Sequence, residues 1–89
     1  MDLSPPDVVH RPGEQRFEST VEGHRCVLRY RLEPGAAVMT HVGVPPPVEG
    51  RGIAAALTRT AVAWARSQGL EVVPVCPYVA AWMRRHPGA

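Results

Sequence analysis

One stretch constrains this chain more than any other. An apolar run ending in Val42, Gly43 and Val44 passes through Pro45, Pro46 and Pro47, reaches Glu49-Gly50-Arg51-Gly52, and opens a helix at Ile53, Ala54, Ala55, Ala56 and Leu57. Proline cannot donate to a strand ladder, so the strand has to stop there. Glycine lets a bulky group approach the backbone, the first N–H groups of a helix lack internal partners, and the helix dipole favours negative charge at that end. The junction has the parts of an anion cradle.

The 89 residues, 45% hydrophobic and 20% charged, are enough for one small globular domain. A core of that size leaves a thin stability margin, which suits a monomer or a weak homodimer steadied by a ligand. The net charge is +2 and all ten cations are arginine. Arginine suits forked contacts to phosphate or carboxylate, although coding-sequence bias produces the same pattern. No dense basic block or basic-aromatic alternation points to nucleic acid. Cys26 and Cys76 have no CxxC spacing and no two histidines have ligand spacing, so neither a metal nor a disulfide framework is expected. The opening Met-Asp-Leu-Ser-Pro-Pro carries an early acid and no apolar h-region, and no apolar run approaches the roughly 20 residues of a membrane span. A cytoplasmic protein without a membrane partner is expected.

Residues 1–15, with Pro5, Pro6, Pro12 and Gly13 among charges, read as a loose N-terminal arm, and 16–89 as the single domain. Arg16 to Thr20 and His24 to Leu32 flank a Val-Glu-Gly turn, and Cys26, Leu28, Tyr30 and Leu32 alternate with Arg25, Val27, Arg29 and Arg31 as in a half-buried strand. After Glu33-Pro34-Gly35, Ala36 to Val44 completes an antiparallel meander. Arg51 to Gln68 has helical periodicity, with Ile53, Leu57, Ala61, Trp64 and Ala65 on one face and Gly69 at the C-terminal cap. Leu70 to Val75 is nearly all apolar, as in a strand covered on both faces, and a right-handed crossover sets it parallel to Ala36–Val44. Pro77 opens a last helix with a Val79, Trp82, Met83 stripe, and Pro87 stops it. The fold class expected is α/β (α+β): a mixed sheet built from an antiparallel meander, a βαβ unit and a C-terminal helix.

Three nucleotide-type loops compete for Gly50–Ala55. A Walker loop needs Gly-Lys, and the chain has no lysine. A dinucleotide fingerprint matches as GxGxxA with Glu71 about 20 residues on, yet three prolines separate strand from glycine and too little chain remains for a second half. The third option fits best. Glu49, Gly50, Arg51, Gly52, Ile53 and Ala54 resemble the Gln/Arg-x-x-Gly-x-Gly/Ala pyrophosphate loop of the GNAT N-acetyltransferases. The wider order resembles the minimal single-domain members of that superfamily: His41-x-x-Val44-Pro45, the glycine loop, Ala65-Arg66 with Gly69-Leu70, Val73 to Val79, and Arg85-His86-Pro87. The resemblance covers about Phe17 to Pro87. Two positions depart from it: Glu49 replaces Gln or Arg, and Gly43 stands where His-Thr-Glu-Val commonly has its acid.

The resemblance implies acetyl-CoA as cofactor, with its pyrophosphate on the main chain of Glu49 to Ala54, and an acyl-CoA N-acyltransferase moving acetyl to a small-molecule or peptide amine. An amine titrating near 10.4 needs a group to take its proton at neutral pH. His41 is the leading base, on the same strand face as Gly43; a hydrogen-bonded structural histidine at a strand end is the other reading. N–H groups near Val42 and Val44 can donate to the thioester carbonyl where the neighbouring strand splays away. Cys76, between a strand and a helix N-terminus, can be an acyl-carrying thiol or a small buried residue. Tyr78 can protonate the departing thiolate or simply pack. Cys26, Trp64, Trp82 and Met83 read as core or dimer surface, His24 as solvent-facing, and His86 as a cation at a helix C-terminus. A CoA-binding module without catalysis, favoured by the missing acid, and a small basic interaction protein are the other function classes.

Overall fold

The computed structural model describes residues 7–89. Its elements are β1 (Val9–Arg11), β2 (Arg16–Val21), β3 (His24–Glu33), β4 (Ala36–Gly43), α1 (Ile53–Ser67), β5 (Glu71–Pro74) and α2 (Pro77–Arg85), with single 3-10 turns at Pro12–Glu14 and Pro46–Val48. The strands form one sheet in chain order, β1-β2-β3-β4-β5. The first four are antiparallel, and β5 lies parallel to β4 with Ala36 opposite Glu71 and Met39 opposite Pro74. The meander, the βαβ unit and the final helix all stand where alternation and helical period place them.

Both helices cover one face of the sheet. Phe17, Cys26, Leu28, Tyr30, Ala37 and Met39 meet Ile53, Leu57, Ala61, Val62 and Ala65 of α1 and Val79 and Trp82 of α2 in a single core. Thr58 also points inward on α1, its hydroxyl donating to the Ala54 carbonyl at 2.8 Å, so the buried oxygen is satisfied within its own helix. Leu70 N–H bonds the Ala65 carbonyl at 2.9 Å and Gly69 N–H the Arg66 carbonyl at 3.0 Å, the double bond pattern that ends a helix on a glycine.

Two expectations need correction. Part of the segment read as a loose arm is structured: Val9–Arg11 adds a strand to the sheet, and His10 stacks on Phe17 at 4.0 Å, meets Trp64 at 4.6 Å and bonds the Tyr30 hydroxyl at 2.7 Å. Aromatic contact fixes this strand where proline content suggested none; residues 1–6 of the same arm lie outside the described residues. Strand β5, expected to be covered on both faces, is an edge strand with Val72, Val73 and Pro74 half-buried, and Val75 just past its end is 56% exposed. The described helices make a single layer, so its second face stays open.

That second face is charged. Glu18, only 9% exposed, accepts from Arg11 Nε at 2.8 Å and Arg16 Nε at 2.9 Å, with Arg25 Nε at 3.9 Å. Arg25, Val27, Arg29 and Arg31 project from β3 on this side, since the alternate positions Cys26, Leu28 and Tyr30 are core.

Candidate functional site

The site begins with a break in strand pairing. Arg29 faces His41 and Tyr30 faces Met39, so Thr40 is an extra residue on β4, a β-bulge, with its hydroxyl donating to the Arg29 carbonyl at 3.3 Å. On the other side, β5 pairs with β4 only as far as Met39, and Cys76 N–H to the Met39 carbonyl at 3.0 Å is the last rung. From Thr40 to Gly43, β4 pairs with β3 alone. The edge that faced β5 is open, and Val42 and Val44 lie on or just beyond it.

Past this opening the three prolines act as a corner. Val48 N–H bonds the Pro45 carbonyl at 3.0 Å and Glu49 N–H the Pro46 carbonyl at 3.2 Å, while Val48, fully buried, pins the turn to the core. Gly50 and Gly52 then adopt φ of 78° and 76°, and Gly52 forms the N-cap of α1. This left-handed geometry costs a residue with a side chain about 1–2 kcal/mol. Added Cβ atoms at Gly50 and Gly52 would meet nothing within 4 Å, so no packing demands glycine there; the backbone conformation does.

Helix α1 starts without a side-chain cap and without an acid in its first turn. The first backbone bond into it is Ala56 N–H to the Gly52 carbonyl at 3.0 Å, and the N–H groups from Gly50 to Ala55 have no acceptor among the described residues. A row of unpaired donors at a helix N-terminus attracts an anion. These groups border a cavity of about 340 Å³ lined by Val44, Val48, Glu49, Gly50, Gly52, Ile53, Ala54, Ala55 and Tyr78. That is within the size range of small-molecule pockets. Free donors, room for bulk and a positive dipole end together fit the diphosphate of a nucleotide cofactor.

The residues singled out in the sequence separate by their place in the fold. Val44, Glu49, Gly50, Gly52, Ile53, Ala54 and Tyr78 share the cavity, with Tyr78 reaching it from α2 while 37% exposed. Arg51 turns away, its Nη2 held 2.9 Å from the Glu22 carboxylate in the β2–β3 turn, which keeps Glu22 below its usual range. Cys76 is buried in the core as the N-cap of α2 and does not line the cavity, although its N–H closes the apex of the strand opening. His41 is exposed on β4, and its imidazole leans over Gly43, with Nε2 2.8 Å from the place a Cβ would take. Val42 lies on the open edge and packs against the core.

Sequence reasoning missed Ala55 in the lining, the buried anchor Val48 and the acid on Arg51. Val48 was legible as the one apolar residue in an otherwise proline-rich and polar corner; the Glu22 contact joins residues far apart in sequence and left no local signal. Elsewhere, His86 stacks on Trp82 at 4.4 Å and donates from Nδ1 to the Trp82 carbonyl at 2.8 Å, a helix-end contact away from the cavity lining. Among the described residues no group of three or more His, Cys, Asp or Glu side chains converges. No helix among the described residues is long and apolar enough to cross a membrane.

A family model described as GCN5-related N-acetyl-transferase matches residues 16–89. No curated protein matches the chain. With the family model spanning strands β2 to β5, both helices and the glycine loop, this chain belongs to the GCN5-related N-acetyltransferase family.

Proposed function

We propose that the domain moves an acetyl group from acetyl-CoA to a small-molecule or peptide amine. The observation that carries this reading is the run of unpaired N–H groups from Gly50 to Ala55 beside a cavity at the open edge of β4. Acetyl-CoA, when bound, supplies an activated thioester. The main chain of Gly50 to Ala54 holds the diphosphate, and N–H groups at Val42 and Val44 donate toward the thioester oxygen along the edge that β5 leaves free. His41, exposed and without an ion-pair partner among the described residues, takes the proton that the attacking amine must lose. Tyr78 donates its hydroxyl proton to the departing sulfur and regains it from water. Cys76 forms the wall at the apex of the opening, its burial favouring direct transfer over an acyl-cysteine.

The test is CoA release across a panel of amines, with His41→Ala and Cys76→Ser alongside the native chain. The proposal expects turnover with at least one amine, about a 100-fold loss in His41→Ala, and turnover kept in Cys76→Ser. Loss of turnover in Cys76→Ser with unchanged CoA affinity would make Cys76 the acyl carrier instead.

Gly43 supports a second reading, a CoA-binding module without catalysis, because it removes the acid commonly found there in the family the chain resembles. Tight acetyl-CoA binding with no amine-dependent CoA release would establish it.

A further inference from the structure

The open face of the sheet carries one row of basic side chains across four strands. Arg11 pairs with Arg16, Arg16 with Arg29, and Arg29 with His41, each directly opposite the next on adjacent strands. Like charges facing each other across strands destabilise a sheet. Part of the cost is offset: Arg11 and Arg16 share Glu18, and Arg16 also meets Glu14 at 2.7 Å. The compensation stops at β2. Arg29 is exposed and its guanidinium has no ion-pair partner among the described residues, while Arg31 is taken by Glu33 at 3.1 Å.

The uncompensated charge therefore sits at the β3–β4 end of the row, beside the edge that β5 leaves open. Val44 lines the cavity and His41 is three residues earlier, roughly 10 Å along the strand. The helices occupy the opposite face, so the His41 side is the open approach for a second substrate.

We propose that the Arg29–His41 end of this row docks the acceptor, and that the acceptor is a peptide whose free amine is flanked by acidic side chains. This rests on the acetyl-transfer reading for the role of the bound peptide, but not for the binding itself. Guanidinium forks recognise carboxylates in a planar, bidentate manner, so Arg29 would hold an aspartate or glutamate next to the amine and set that amine before His41.

The experiment measures fluorescence anisotropy of the full chain with a labelled peptide bearing a free N-terminal amine followed by aspartates. Neutral and lysine-containing peptides of the same length and a single-stranded oligothymidylate serve as comparisons. The expected result is preference for the acidic peptide, weakening with salt, with about a tenfold loss in Arg29→Glu and a smaller loss in Arg29→Gln. Arg59→Glu, an exposed charge on the helix side, should change affinity less than about twofold. Calorimetry with CoA should give the same affinity for all these proteins, so a failed peptide test with intact CoA binding overturns the docking proposal alone. Equal binding of acidic and neutral peptides, equal losses in the Arg29 and Arg59 variants, or tighter binding of the oligothymidylate would each overturn it.

Discussion

The His41 imidazole occupies the space that a side chain on Gly43 would need, its Nε2 standing 2.8 Å from an ideal Cβ there. The φ of Gly43 is not positive, so the backbone accepts a side chain; the conflict is with His41 alone. Since the ring is exposed and can rotate, Gly43→Ala should cost less than about 1 kcal/mol of stability. It should nevertheless displace the ring, visible as a changed His41 imidazole shift in NMR, and lower turnover by about tenfold if His41 accepts the amine proton. Turnover equal to the native protein with a displaced ring would remove His41 as the base.

The glycine loop can be tested against a matched turn. Gly52 and Gly23 have nearly equal φ, 76° and 77°, and at both an added Cβ meets nothing within 4 Å. Gly52→Glu and Gly23→Glu therefore carry a similar backbone cost of about 1–2 kcal/mol. Only Gly52→Glu sets bulk and negative charge at the N-terminus of α1. Calorimetry should show CoA affinity lost in Gly52→Glu and kept in Gly23→Glu.

Glu49 lines the cavity, near where a polyanion would lie. Replacing it by glutamine removes a repulsion, so CoA affinity should rise by about fivefold at low ionic strength and the gain should shrink as salt is added. Unchanged affinity at low salt would mean that the carboxylate points away from the bound phosphates.

His10 links pH to the attachment of β1. Burial holds its imidazole below the ordinary 6.5, so the unfolded chain binds more protons between the two values. Stability is then complete above about pH 6.5 and falls as pH drops through that value toward the folded pKa. Protonation also sets a cation against Phe17 and Trp64 and leaves Nε2 able only to donate to the Tyr30 oxygen. The melting temperature should drop as pH is lowered through about 6.5, and His10→Gln should flatten that drop.

Period and punctuation made most of the fold legible. Cys26, Leu28 and Tyr30 alternate into the core, Ile53, Leu57, Ala61 and Ala65 recur at helical spacing, and Pro77 stands at the first position of α2. The strand His10 belongs to was hidden because its signal is aromatic contact with Phe17, Tyr30 and Trp64, partners that come together only in the folded sheet. At the site, Gly50 and Gly52 announced themselves through the glycine requirement of a left-handed backbone. The Thr40 bulge and the Arg11-Arg16-Arg29-His41 row did not, because they depend on strand register, and the Arg51–Glu22 pair did not, because it joins two loops far apart in sequence.

If free amides after the proline corner grip a diphosphate, the coenzyme must touch them one by one. The most direct measurement is an amide-resolved NMR titration with CoA. The account predicts that the N–H resonances from Gly50 to Ala55 move most and in step, saturating together, while those of the Glu22–Gly23 turn stay within the range of the rest of the sheet. Saturable binding that leaves Gly50 to Ala55 unmoved, or no binding at all, would contradict it.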